Sequence, residues 1–416
     1  MQKPVYKISR KNADYSKTFC TFVILMPFTP EQIAKIRQKE AMTPDALKRN
    51  PLNDYTEGYF HVTLNTRGEA PVLGYITGTP TPLCILTEVG ERVKESWNAC
   101  QSIYPYVETI GFQIMPEHVH GLIHLKHGNT KHLGQIIRGF MIGCSHGYWD
   151  TLGIPWREMT YQKGVRTPQY NDRDHTRSFR GPSLFVRGYN DVEAITAEEV
   201  QTKIEYIRTN VERRIIKGEN PRLFRVHRNM KSANWTPERI MRGLCADRFI
   251  AADRNRQEEA WRQLTLNFEN GRPVLDLVGN MELLKRQLFP LICHRADAPF
   301  FEQQKAAVLK VAREQGAVIV TACVSPNERS IVKLLQQELL PVIEVMDNGF
   351  SEKYKPTGKA FYAMAESRRL EITPWKYEYR RRDMQEHSSI TREMCMVMNE
   401  VVRLITQKND DWWKMM

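Results

Sequence analysis

Apolar positions recur with two different periods along the chain, and the switches between them mark its elements. A compact pattern begins at about residue 53, and its first period-two run, GYFHVTLN, predicts a strand. A turn at TRGEAP follows, then the helix-period segment LTEVGERVKESWNACQS, then two strand-like runs, VETIGFQIM and HVHGLIHLK. KHLGQIIRGFMIGCSHGYWD predicts a second helix. After a loop rich in Gly, Pro, Arg and Asp, the run SLFVRGY predicts a short strand and ITAEEVQTKIEYIRTNVERRIIKG a third helix. The order β-α-β-β-α-β plus a final helix predicts an α+β, ferredoxin-like domain with an antiparallel sheet over residues 53–232. Residues 1–52 hold one apolar run, FCTFVILMPF, and one helix that Thr29 caps and Pro30 opens, and read as an N-terminal extension.

The rhythm changes further on. Residues 233–275 are polar, helical in part, and read as a connector. From residue 276 to 416, LFPLICH, AVIVTACV, PVIEVMDNGF and RLEITPW alternate with helical segments, the pattern of a parallel α/β sheet. This predicts a second, α/β Rossmann-like domain.

Composition narrows the class of partner. The chain has 416 residues, 41% of them hydrophobic, and a net charge of +12 at pH 7. Such a balance favours an acidic partner such as nucleic acid. From Asp276 onward there are 21 Lys+Arg against 19 Asp+Glu, so +10 of the +12 lies in the first 275 residues, where a nucleic-acid face is expected. Eight cysteines without a C-x-x-C pair read as thiols of a reducing compartment, and exclude a disulfide framework or a zinc knuckle. The polar start MQKPVYKISRKNADYSK and the lack of a run of about 18 apolar residues predict a cytoplasmic protein with no membrane partner.

Within IMPEHVHGLIHL, His118 and His120 stand two residues apart on a predicted strand. Such residues project from one face with Cα atoms about 6–7 Å apart, so two imidazoles can converge on one ion. With eleven histidines in the chain, chance supplies about 0.3 such pairs, so the pair needs company. The third helix supplies it. Its apolar stripe runs through Val200, Ile204, Ile207, Val211 and Ile215, whereas Tyr206 and Asn210 lie roughly 100–140° away and one turn apart. Between Lys203 and Lys231 there are nine Lys/Arg and three Glu, with Arg208, Arg213 and Arg214 among the candidate phosphate contacts. The loop GVRTPQYNDRDHTRSFRGP adds Arg173, Arg177 and Arg180 beside Tyr170, a mix suited to clamping unpaired bases. By strand alternation Glu117 is expected on the face opposite the histidines, and His124 is too far along the strand to join them.

GYFHVTLN, GFQIMPEHVHGLIHL and EYIRTN, in this order and spacing, resemble the single-tyrosine HUH transposases, the insertion-sequence and REP-associated tyrosine transposase superfamily. The resemblance covers roughly residues 53–230. It implies that Tyr206 is the nucleophile, that His118, His120 and Asn210 hold Mg²⁺ or Mn²⁺, and that single-stranded or hairpin DNA is cleaved and rejoined through a 5′-phosphotyrosine. It also implies a homodimer. Many relatives carry proline after the asparagine, where this chain has Val211. The segment from LICHRADAPFF to LEITPW is similar to the Rossmann-like domain of the DNA-processing protein A and SLOG superfamily, with Cys293, His294, Arg295 and Ser325 to Glu328 at strand ends. No G-x-G-x-x-G or Walker pattern is present there, which favours a partner- or DNA-binding role over nucleotide chemistry. Two other readings remain open at this stage: a DNA-binding regulator that keeps the fold without catalysis, and a replication-initiator or relaxase-type nickase.

Overall fold

The strand GYFHVTLN forms as its alternation predicts: β1 spans Gly58–Asn65, with Phe60, Val62 and Leu64 fully buried. In the computed structural model, residues 54–78, 82–154, 156, 182–352, 354–378 and 390–416 are described. The expected extension over 1–52 and the arginines at 173, 177 and 180 lie outside them. The chain divides into two units, Met1–Ile215 and Ile216–Met416.

In the first unit β1 is followed by a small hairpin, β2 (Gly74–Thr77) and β3 (Leu83–Leu86), then helix α1 (Glu88–Asn98), β4 (Val107–Met115), β5 (His118–Leu125), helix α2 (Leu133–Thr151), β6 (Asn190–Ala194) and helix α3 (Ala197–Arg208). The main sheet has the order β4-β5-β1-β6, and every neighbouring pair is antiparallel. This is the expected β-α-β-β-α-β order. Thr87 caps α1 by accepting from the Gly90 amide at 3.2 Å, and Thr196 caps α3 through the Glu199 amide at 3.2 Å.

Alternation along the two central strands separates two faces. Phe60, Val62 and Leu64 of β1 and Val119 and Ile123 of β5 enter one apolar core with Val89, Val93 and Trp97 of α1 and Ile136, Ile137 and Phe140 of α2. Trp97 lies so close to the sheet that a Cβ on Gly121 would meet its ring at 2.3 Å, so only glycine fits there. The intervening residues, His61 and Thr63 of β1 and His118 and His120 of β5, belong to the other face, over which α3 packs against β4, β5 and β6.

Two expectations in this unit need correction. The last sheet strand is NDVEA, not SLFVRGY. It is a half-exposed edge strand with few apolar residues, whereas Leu184, Phe185 and Tyr189 of SLFVRGY are buried as core filling outside any strand apart from a single bridge from Phe185 to Thr66. The β2–β3 hairpin was hidden because two four-residue strands are too short to show a period.

The second unit is built on the six-stranded sheet β11-β12-β13-β14-β10-β7. Here β7 is His227–Met230, β10 Leu275–Gly279, β11 Leu288–Leu291, β12 Val318–Thr321, β13 Val342–Val345 and β14 Arg369–Thr373. The strands β11 to β14 are parallel and in sequential order, joined by helices α7 (Phe301–Glu314), α8 (Pro326–Gln337) and α9 (Gly358–Ala365). Strands β10 and β7 add antiparallel, so the sheet is mixed where the sequence pattern suggests a parallel one. Its residues alternate between two cores. Val318 and Val320 pack with Val397 and Val401 of α10 (Arg392–Thr406), and Ile319 with Val308 of α7 and Ile331 of α8.

Residues 233–275 are therefore more than a connector. Strand β7 already belongs to this sheet, and α5 (Pro237–Leu244) places Ile240 and Leu244 in the same core as α10; α6 (Arg254–Arg262) and the two-residue strands β8 (Phe268–Glu269) and β9 (Arg272–Pro273) follow. The polar composition of this stretch conceals a narrow apolar stripe. No helix among the described residues is long and apolar enough to cross a membrane.

Candidate active site

Strand β5 begins directly after a tight turn at Pro116–Glu117, and its first residue is His118. In the β1–β5 register His118 lies opposite Asn65 and His120 opposite Thr63. The alternation predicted for the pair holds, and the two rings meet edge to face with centroids 4.8 Å apart. Their Nε2 atoms are 3.1 Å apart. His118 is partly exposed, whereas His120 is buried at 5%.

Each of the two rings is held from behind through its Nδ1. For His118 the partner is the Glu117 carboxylate at 3.1 Å. For His120 the partners are Thr63 Oγ1 at 3.0 Å and His61 Nε2 at 3.2 Å. His61 was not singled out by its sequence, although FHVTL places it two residues before Thr63 on the same strand face, which was the available signal. Burial, aided by the charge of Lys203, pushes the His61 pKa down to about 4, so its ring is neutral at pH 7.

Tyr206 reaches this cluster from the last turns of α3. Its ring lies 5.4 Å from that of His120 and 5.7 Å from that of His61, close to perpendicular to each. Helix α3 stops at Thr209, whose φ/ψ of −92°/5° breaks it, and α4 (Asn210–Glu219) starts at Asn210. Asn210 is 6% exposed and its amide Nδ2 has no hydrogen-bond partner. Among the described residues no group of three or more His, Cys, Asp and Glu could hold a metal ion, so a third ligand drawn from those residues would be of another type, such as an asparagine amide oxygen.

Each of the three described candidate arginines has a partner within the fold. Arg208 is bridged to Glu205 on its own helix at 2.8 Å. Arg213 is 6% exposed and its guanidinium stands 5.2 Å from the centre of the Tyr206 ring, within cation–π range. Arg214 pairs with Glu117. Glu117 itself departs from expectation: it sits in the turn before β5, where strand alternation does not operate, and turns toward His118. Burial works to raise its pKa, but hydrogen bonds from His118 and Arg214 outweigh this and hold the carboxyl below its ordinary range. His124 stacks on Tyr59 at 4.0 Å and meets Glu108 at 3.4 Å, away from the pair. Among the other tyrosines of this region, Tyr148 and Tyr189 are buried in the first core, and Tyr161 and Tyr170 lie outside the described residues.

In the second unit the strand-end residues serve the fold. Glu328 is buried and accepts from the Cys293 amide at 3.0 Å and the Val324 amide at 2.8 Å, while Ser325 caps α8. His294 pairs with Asp410 at 2.8 Å.

No protein-family model matches the chain. An uncharacterized protein of Haemophilus influenzae is 24% identical over 113 residues, which is 22% of this chain; the chain spans 61% of the length of that relative. Among solved structures, a REP-associated tyrosine transposase bound to a REP hairpin is similar over 40% of this chain and 74% of its own, at 12% identity and a TM-score of 0.26. A candidate transposase from Deinococcus radiodurans is similar over 39% of this chain and 96% of its own, at 14% identity and a TM-score of 0.23. Likenesses at this level carry no functional argument, and the site must be read from its own geometry.

Proposed function

We propose that the first unit is a metal-dependent DNA strand transferase of the single-tyrosine HUH type, with Tyr206 as nucleophile and His118, His120 and Asn210 as ligands of Mg²⁺ or Mn²⁺. One observation carries the reading. With acceptors behind both Nδ1 atoms, each ring can carry its proton there, and the two Nε2 lone pairs then face each other at 3.1 Å. Lone pairs so placed repel unless a proton or a metal cation lies between them. An octahedral ion with bonds of about 2.1 Å has neighbouring ligand atoms about 3.0 Å apart, which matches. The buried Asn210, at the start of α4, would supply the amide oxygen as a third ligand.

When bound, the ion would offset charge on a non-bridging phosphate oxygen. The residues of the chain do the rest. The contacts of Tyr206 with His120 and His61 fix its ring beside the pair, and Arg213 adds positive charge near that ring. In the reaction the Tyr206 oxygen gives up its proton and bonds to phosphorus, the bond to the 3′-oxygen breaks, that oxygen takes up a proton, and the phosphodiester is kept as a 5′-phosphotyrosine. Attack by the freed 3′-hydroxyl reverses the step without an external energy source. Single-stranded, hairpin-flanked DNA is the substrate class, and a homodimer the expected assembly. We read the second unit as a Rossmann-like accessory module.

The test is incubation of the full chain with labelled hairpin DNA and Mn²⁺, followed by a denaturing gel and peptide mapping. A covalent adduct on Tyr206 that is lost in Tyr206→Phe and on chelation is the expected result. Hairpin binding equal in both proteins, with no adduct under any metal, would replace this reading with that of a non-catalytic DNA-binding regulator.

A further inference from the structure

The turn before β5 is unusually well anchored for a two-residue connection. The Glu117 carbonyl accepts both the backbone amide and the hydroxyl of Thr66, each at 2.9 Å, and Thr66 is fully buried. The Pro116 carbonyl accepts the Leu73 amide at 3.0 Å. The backbone that presents Glu117 is thus tied down on both sides. Its side chain is tied as well, because Oε1 receives the Arg214 guanidinium from α4 and faces Nδ1 of His118 at 3.1 Å.

We propose that Glu117, held by Arg214, is a positioning residue: it takes the Nδ1–H of His118 and so turns the Nε2 lone pair of that ring toward His120. This rests on the metal-centre reading above and deepens it. A carboxylate behind a ligating imidazole fixes the tautomer and the ring plane, and losing such a partner costs about 10–100-fold in metal affinity. The arrangement also assigns Arg214 a task other than phosphate contact. It lies on α4, which begins at Asn210 and follows the helix of Tyr206, so the segment carrying those residues is joined through Glu117 to the first histidine.

The decisive experiment uses the full chain without DNA. Long-range ¹H–¹⁵N imidazole spectra, with His118 assigned by its loss in His118→Ala, report the tautomer in metal-free protein, and Mn²⁺ alone is titrated separately. The wild-type ring should carry its proton on Nδ1. Glu117→Ala should move it toward Nε2 and weaken Mn²⁺ binding about 10–100-fold. Glu117→Gln keeps an acceptor oxygen without charge, so it should retain the tautomer and lose less than about 10-fold. An unchanged tautomer in Glu117→Ala overturns the proposal, as does a Glu117→Gln protein weakened as much as Glu117→Ala. A Glu117-dependent tautomer in a chain that binds no Mn²⁺ would instead sink the metal reading and leave the positioning role standing.

Discussion

Nε2 of His118 and Nε2 of His120 lie 3.1 Å apart, while the other nitrogen of each ring is engaged by a different part of the fold. The two histidines are therefore unequal in their support. His120 has two candidate partners on β1, Thr63 and His61, and each can hold Nδ1 without the other. His61→Ala should accordingly cost less than about 10-fold in Mn²⁺ affinity, whereas Thr63→Val combined with His61→Ala should cost about 10–100-fold. Calorimetric titration of the three proteins checks this, and equal losses in the single and double variants would refute it.

The arginines around the tyrosine should separate sharply in stability. Arg213 is buried against the Tyr206 ring, so Arg213→Ala should lower stability by about 1–3 kcal/mol. Arg208 lies on the surface in an ion pair with Glu205, and Arg208→Ala should stay within about 0.5 kcal/mol of wild type. Urea unfolding midpoints of the two variants make the comparison. A larger loss for Arg208→Ala would contradict the observed packing.

On the opposite face of the same strand, Gly121 leaves room for Trp97. Gly121→Ala should cost about 1–3 kcal/mol through overpacking, and Trp97→Phe should recover part of that cost when combined with it. Thermal melting of both variants is the measurement; a double variant less stable than the sum of its parts would refute the steric account.

The second unit should respond to pH through His294 and Asp410. The hydrogen bond to Asp410 raises the His294 pKa. A raised histidine contributes stability that is fully present below its unfolded value of about 6.5 and is lost as pH rises through its folded value. Burial works to raise the Asp410 pKa, but hydrogen bonds from His294 and Arg403 bring it down to about 2. Its contribution is present above the unfolded value of about 3.9 and fades as pH falls toward about 2. Melting curves at pH 5.5 and 8.5 should show a larger loss at the higher pH in wild type than in His294→Gln. Identical pH profiles would refute the linkage.

The sequence by itself determined the alternation of β1 and β5, and with it which side of the sheet each histidine occupies, because a strand period of two leaves no other choice once Phe60, Val62, Leu64 and Val119 must be buried. Helical periodicity placed Tyr206 and Asn210 close together in the chain's third helical stretch, but the break at Thr209 that puts them on α3 and α4 left no mark in that periodicity. Only the tertiary structure decided what stands behind the pair. Glu117 turns toward His118 because it sits in a turn that Thr66 anchors, His61 joins because β1 lies next to β5, and Arg213 and Arg214 are drawn from the expected DNA face to Tyr206 and Glu117. These contacts join residues far apart in the chain, and neither local periodicity nor charge density encodes them. The edge strand NDVEA was missed, and the partly helical stretch 233–275 was read as a connector, because partial burial needs few apolar residues, so the pattern that reveals a core element is faint where it lies half in solvent.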